Sequence, residues 1–139
     1  MTQDDESAGP ERFDTKVAVL LRDDLAVWQQ LNVTGFLISG IAASIEDITG
    51  EPYMDADGTQ YLPMLRMPIT VLEGDAAVLT SAHRRALDRD LRVAVYTEEL
   101  FSTPNDTANR AAGRAVPRDQ LQFLVLGVYR LIGDVYKAV

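Results

Sequence analysis

The sequence predicts one α/β domain, built on a mostly parallel, mixed sheet of about four strands with helices covering both faces. Three observations carry this prediction. Apolar runs of strand length alternate with segments of helical periodicity from residue 16 to residue 139. The first such run, Lys16-Val-Ala-Val-Leu-Leu-Arg22, is almost continuously apolar, as a strand covered on both faces should be. Short turn signals, not linkers, separate the segments, so residues 16–139 read as a single unit.

Residues 1–15, with Gly9-Pro10 and five carboxylates against Arg12, are expected to form a disordered acidic tail. Asp23-Asp24 closes the first strand in a polar turn. From about Leu31 to Ile48 the pattern becomes helical. Leu31, Ile38, Ile41, Ile45 and Ile48 supply the inward stripe, and Asn32 or Thr34 the cap. Gly35, Ser39 and Ala43 stand four apart on that helix and are expected to lie flat on the sheet. Trp28 and Phe36 are expected in the core, although such a pair also makes a stacking platform.

Asp55-Ala-Asp-Gly58 between Tyr53-Met54 and Tyr61-Leu62 signals a hairpin. It resembles the start of a calcium loop, but the twelfth position is Arg66 instead of a glutamate, so no calcium site is expected. Ile69 to Glu73 reads as a second strand. Gly74-Asp75 caps a helix running to about Arg89, with Leu79, Ala82, Ala86 and Leu87 inward. Leu91 to Tyr96 is a third strand, and Thr103 to Thr107 caps a short helix ending near Arg114. Gln122 to Tyr129 is a fourth strand, and Ile132 to Val139 a last short helix.

Composition narrows the chemistry. The chain contains no cysteine, which removes disulfides, thiolate metal sites and thiol nucleophiles. Its start is polar and acidic, without the basic and apolar stretches of a secretory signal, and no apolar run approaches the ~20 residues of a membrane span. A soluble, cytoplasmic protein is the expectation. The net charge of −8 disfavours nucleic acid, whose non-specific binding rests on clustered Lys and Arg. With a single histidine, His83, a zinc site is not expected, and His83 reads as a packed or surface residue before it reads as a catalytic base. No glycine-rich nucleotide loop follows any strand, so no cofactor is predicted.

The densest polar cluster runs from Thr97 to Arg110, at the carboxyl end of the third strand, where open α/β sheets usually hold ligands. Thr97, Asn105, Asp106, Asn109 and Arg110 are the candidate ligand-binding residues. A capped surface helix with an Asp106–Arg110 pair is the equally weighted structural alternative. Asp24 and Asn32 lie at the end of the first strand and share one rim with that cluster if the two strands are parallel neighbours.

Lys16 to Leu25, followed by a helix rich in small residues, resembles the opening of the type 2 peptidyl-tRNA hydrolases of archaea and eukaryotes. Gln60-Tyr-Leu-Pro-Met64, Tyr96-Thr-Glu-Glu-Leu-Phe101 and Asn105-Asp-Thr-Ala-Asn-Arg110 are more closely similar to a mainly bacterial family of uncharacterised proteins grouped with those hydrolases by fold. The resemblance covers about residues 16–139 and implies a small α/β/α sandwich with a mixed sheet. It implies a hydrolase lysine at the start of the first helix, where this chain reads Gln29-Gln-Leu-Asn-Val33. Only Lys16 and Lys137 are lysines here, so the donor to an ester carbonyl is missing and the hydrolase reaction does not carry over.

Two readings remain open. In one, the domain binds a small polar ligand or another chain, a second copy of itself included. In the other, it is a hydrolase or transferase acting on an ester or amide, with Glu98 or Asp24 as base and Asn32 with Arg110 as oxyanion donors.

Overall fold

The computed structural model describes residues 13–139. The elements follow in the order β1 (Thr15–Arg22), α1 (Val27–Ser44), β2 (Tyr53–Met54), β3 (Gln60–Tyr61), β4 (Ile69–Gly74), α2 (Ala76–Asp88), β5 (Arg92–Thr97), α3 (Asp106–Arg114), β6 (Phe123–Leu131) and α4 (Ile132–Ala138). Single 3-10 turns occupy Glu98–Leu100 and Arg118–Gln120. The expected disordered tail lies outside the described residues up to position 12, and Thr15 already belongs to β1.

Four strands form one mixed sheet in the order β4-β1-β6-β5. β1 and β4 run parallel, with Val17 opposite Ile69, whereas β6 is antiparallel to both β1 and β5. The expectation of a mostly parallel sheet therefore holds for the common direction of β1, β4 and β5, but the antiparallel β6 lies between β1 and β5. The reason is local. The chain leaves β5 at Thr97 and re-enters the sheet at Phe123, opposite Thr97, so the excursion through α3 stays on one rim. A return on the same rim produces an antiparallel pair, while a parallel pair needs a crossover.

Strand alternation divides the core between two sets of helices. On one face Val19 and Leu21 meet Val33 and Leu37 of α1, while Val17 meets Ile41. On the other face Leu20 meets Leu79 and Ala82 of α2, and Ala18 meets Ala86 together with Val135 and Ala138 of α4. Gly127 of β6 lets α1 approach closely, since a Cβ there would sit 3.1 Å from Ile41 Cδ1 and 3.3 Å from Leu37 Cδ2.

Helix α1 departs most from expectation. It begins at Val27, with Ala26 as N-cap, instead of near Leu31. Asn32 and Thr34 lie inside it. The Gln29 side chain accepts from the Ala26 N–H at 2.9 Å, and the Thr34 hydroxyl donates to the Gln30 carbonyl. The helix ends at Ser44, and the buried Ile48 lies beyond it. Its buried residues are Val33, Leu37 and Ile41. Leu31, Trp28 and Phe36 are exposed, and so are Gly35, Ser39 and Ala43, the stripe expected against the sheet. α1 has no charged residue and mixes apolar with neutral polar side chains around its circumference, so composition does not select a face. Contact with Gly127 and β1 does.

The local signals elsewhere match the elements. Asp75 Oδ1 accepts from the Val78 N–H at 2.9 Å and starts α2, whose Leu79, Ala82 and Ala86 are buried. Leu87, expected inward, is exposed because it lies about 100° around the helix from Ala86. The β2–β3 hairpin forms as expected. Asp55 Oδ1 accepts from the Asp57 and Thr59 N–H groups, and Gly58 takes a φ of 83°. Those bonds and the one from the Tyr61 hydroxyl hold the Asp55 carboxyl below its ordinary pKa. Among the described residues no helix is long and apolar enough to cross a membrane.

Candidate functional site

At the carboxyl end of β5 the register breaks between Tyr96 and Thr97, leaving Leu124 of β6 as the extra residue of a bulge. In a regular strand Tyr96 and Thr97 would face opposite sides. Here both are buried, and both line a cavity of about 510 Å³. α1 supplies Phe36, Leu37 and Gly40 to this cavity, the strand supplies Ala94 to Thr97, and Leu100 and Leu121 close the rim. The opposite wall is one face of α3, formed by Asp106, Asn109, Arg110 and Gly113 at helical spacing.

The walls are mostly apolar and aromatic. Phe36 and Tyr96 lie with ring centroids 5.7 Å apart, and Phe101 meets Tyr96 edge-on at 5.4 Å. Within this setting Thr97 is 2% exposed and its Oγ1 has no hydrogen-bond partner. Leaving a buried hydroxyl unpaired costs about 1–3 kcal/mol. α3 itself buries no residue, because the space in which a core helix would pack is the cavity.

The candidate ligand-binding residues divide. Thr97, Asp106, Asn109 and Arg110 line the cavity. Asn105 does not; its Oδ1 accepts from the Ala108 N–H at 2.9 Å and caps α3. Asp106 and Arg110 form an exposed i,i+4 ion pair at the mouth, so the mouth carries no net charge from these two groups. The Thr103 hydroxyl touches both the Leu100 carbonyl and the Asn109 amide, which ties the Asn109 side chain to the loop before the helix.

The three candidate catalytic residues are placed elsewhere. Arg22, at the end of β1, donates from Nε to Asp24 Oδ1 and from Nη1 to Glu98 Oε1, both at 2.6 Å. Burial opposes the guanidinium charge, but the two carboxylates outweigh it and raise the Arg22 pKa above its ordinary value. Asn32 lies on the outer surface of α1, beside a separate hollow lined by Leu31, Gly35, Phe36 and Ser39. β1 and β5 share a rim as expected, although they are not neighbours, and Arg22 is what joins them. The sequence pattern does not mark Arg22, nor Tyr96, Leu100 and Leu121 as cavity residues, since isolated apolar residues carry no site signal, and it marks Phe36 only as a stacking partner of Trp28.

His83 stacks on Phe123 with centroids 4.4 Å apart, on the far face of the sheet from α1. Burial, and then Arg118, lower its pKa, while Asp119 opposes them. Among the described residues no group of three or more His, Asp or Glu could hold a metal ion.

Residues 15–139 match the family model described as "Protein of unknown function (DUF2000)". The chain belongs to this family. A solved structure of a protein of unknown function from Agrobacterium is 44% identical, with a TM-score of 0.89 over 91% of this chain and 94% of that one. No curated protein matches the chain.

Proposed function

We propose that this DUF2000 chain binds a small, uncharged ligand with an apolar body and one hydrogen-bonding head, held between α1, β5 and α3. The observation that carries this reading is a largely apolar cavity whose wall includes Thr97, a residue whose buried hydroxyl has no hydrogen-bond partner. Its volume, about 510 Å³, falls within the range of small-molecule sites. A hydroxyl both donates and accepts, so Thr97 suits a carbonyl, amide or alcohol head. Asp106 balances Arg110 at the mouth, which favours a neutral molecule over an anion. The ligand is thus less polar than the side chains of residues 97–110 suggest by themselves.

Helices on both faces of the sheet support a three-layer α/β/α arrangement and, with it, kinship to the type 2 peptidyl-tRNA hydrolases. The hydrolase alternative has weaker support. Glu98 and Asp24 share one guanidinium, Asn32 lies on another surface, and none of the three lines the cavity.

The test is a screen of neutral aryl and alkyl amides, ketones and alcohols by ligand-observed NMR and thermal shift, repeated with Thr97→Val. Hits should weaken at least tenfold in the variant, the cost of about 1.4 kcal/mol for one lost hydrogen bond. Hits bound equally well by Thr97→Val would refute the assignment.

A further inference from the structure

Helix α1 packs one face on the sheet and leaves several large apolar side chains of its other sides in water. Val27, Trp28, Leu31 and Phe36 are 71%, 65%, 70% and 55% exposed. They surround Gly35, which is exposed and whose missing Cβ would meet nothing within 4 Å. Glycine weakens a helix interior, and nothing in the single chain requires it at this position. Around it lies a hollow of about 400 Å³ lined by Leu31, Asn32, Gly35, Phe36 and Ser39.

We infer that this face of α1 is where two copies of the chain meet, packing antiparallel about a two-fold axis near Leu31 and Asn32. Three properties select a second copy as the occupant. The knob and the hollow lie on the same stripe: Trp28 and Gly35 are seven residues apart, two helical turns, and project to the same side. A two-fold axis midway between them sets Trp28 over Gly35 of the partner subunit and, by the same operation, Gly35 beneath Trp28 of the partner subunit, with Val27 and Phe36 on opposite flanks of the stripe. Self-complementarity of one patch is what an isologous interface requires.

The second property is charge. Each chain carries −8, yet α1 has no charged residue from Val27 to Ser44. Two equally acidic molecules meet there without opposing like charges. A membrane-surface helix would carry Lys and Arg along its polar flank, and α1 has neither. The third is area. Aromatic side chains carry roughly 150–250 Å² each, so the four exposed residues together present about 500 Å². That is close to the apolar share of the ~800 Å² each partner contributes to a standard interface.

The decisive experiment combines light scattering after size exclusion with the emission of Trp28, the chain's one tryptophan. Standard-size interfaces reach at least micromolar affinity, so the chain at about 50 μM should be dimeric. Its mass should be twice 15.3 kDa, with Trp28 emission shifting to the red on dilution. Trp28→Ala and Gly35→Glu should each give the single-chain mass. Both positions are exposed and Glu is a better helix former than Gly, so circular dichroism should stay that of the wild type. Ligand binding in the Thr97 cavity serves as a separate readout, and Trp28→Ala should retain it. A wild-type monomer at this concentration would overturn the inference and assign the face to a different macromolecule. A dimer surviving both substitutions would also overturn it, placing the contact elsewhere.

Discussion

Arg22 and Glu98 stand on β1 and just beyond β5, strands that are not neighbours, yet their side chains meet at 2.6 Å. The guanidinium reaches past the end of β6 and also holds Asp24, so a single side chain fastens three parts of one rim. Arg22 is largely buried while both carboxylates are half exposed or more, so screening limits the gain. Arg22→Gln should lower stability by about 1 kcal/mol, read as a drop of a few degrees in melting temperature. The deficit should shrink in high salt, because the wild-type pairs are screened there.

His83 makes stability depend on pH in a defined direction. Its folded pKa lies below its ordinary 6.5, so below that pH the unfolded chain takes up a proton that the folded chain resists. The contribution is complete above pH ~6.5 and is lost as pH falls from there toward the folded pKa. Urea melts at a series of pH values should show this slope, and His83→Gln should flatten it.

Gly127 sets how closely α1 sits on the sheet. Its neighbours Ile41 Cδ1 and Leu37 Cδ2 are side-chain ends and can absorb one methyl group more easily than two more carbons. Gly127→Val should cost about 1–3 kcal/mol by overpacking, with Gly127→Ala distinctly milder. Equal stability of the wild type and the valine variant by chemical denaturation would contradict this packing.

Asn105 caps a helix that buries nothing. Asn105→Ala should therefore remove about 1 kcal/mol from α3 alone. Hydrogen exchange should quicken across Asp106–Arg114 while the global melting temperature stays almost unchanged. Ligand affinity should fall with it, because α3 forms one wall of the cavity.

Sequence pattern was informative where the determinants are local. The Asp55–Gly58 turn, the Asp75 cap, the capping segment Thr103–Thr107 and the apolar run of β1 each locate an element within a few residues. It was weakest where the determinants are remote. Nothing in residues 123–131 says that β6 inserts between β1 and β5, and α1 mixes apolar with neutral polar side chains too evenly to reveal which side faces the sheet. The site was half legible. Asp106, Asn109, Arg110 and Thr97 stand out as polar residues after a strand, whereas Phe36 and Tyr96 look like ordinary core residues until the bulge and the gap beneath α3 are in place.

That α3 contributes no buried residue has a consequence for how such a protein diversifies. Substitutions on its inner face, at Asp106, Asn109, Arg110 or Gly113, reshape the binding wall without drawing on the packing that keeps the sheet and the other helices together. Under the proposed ligand-binding function, specificity and foldability are thus written in separate parts of the chain. A lineage built on this plan is free to change what it recognises, one wall residue at a time, while each intermediate remains a viable protein.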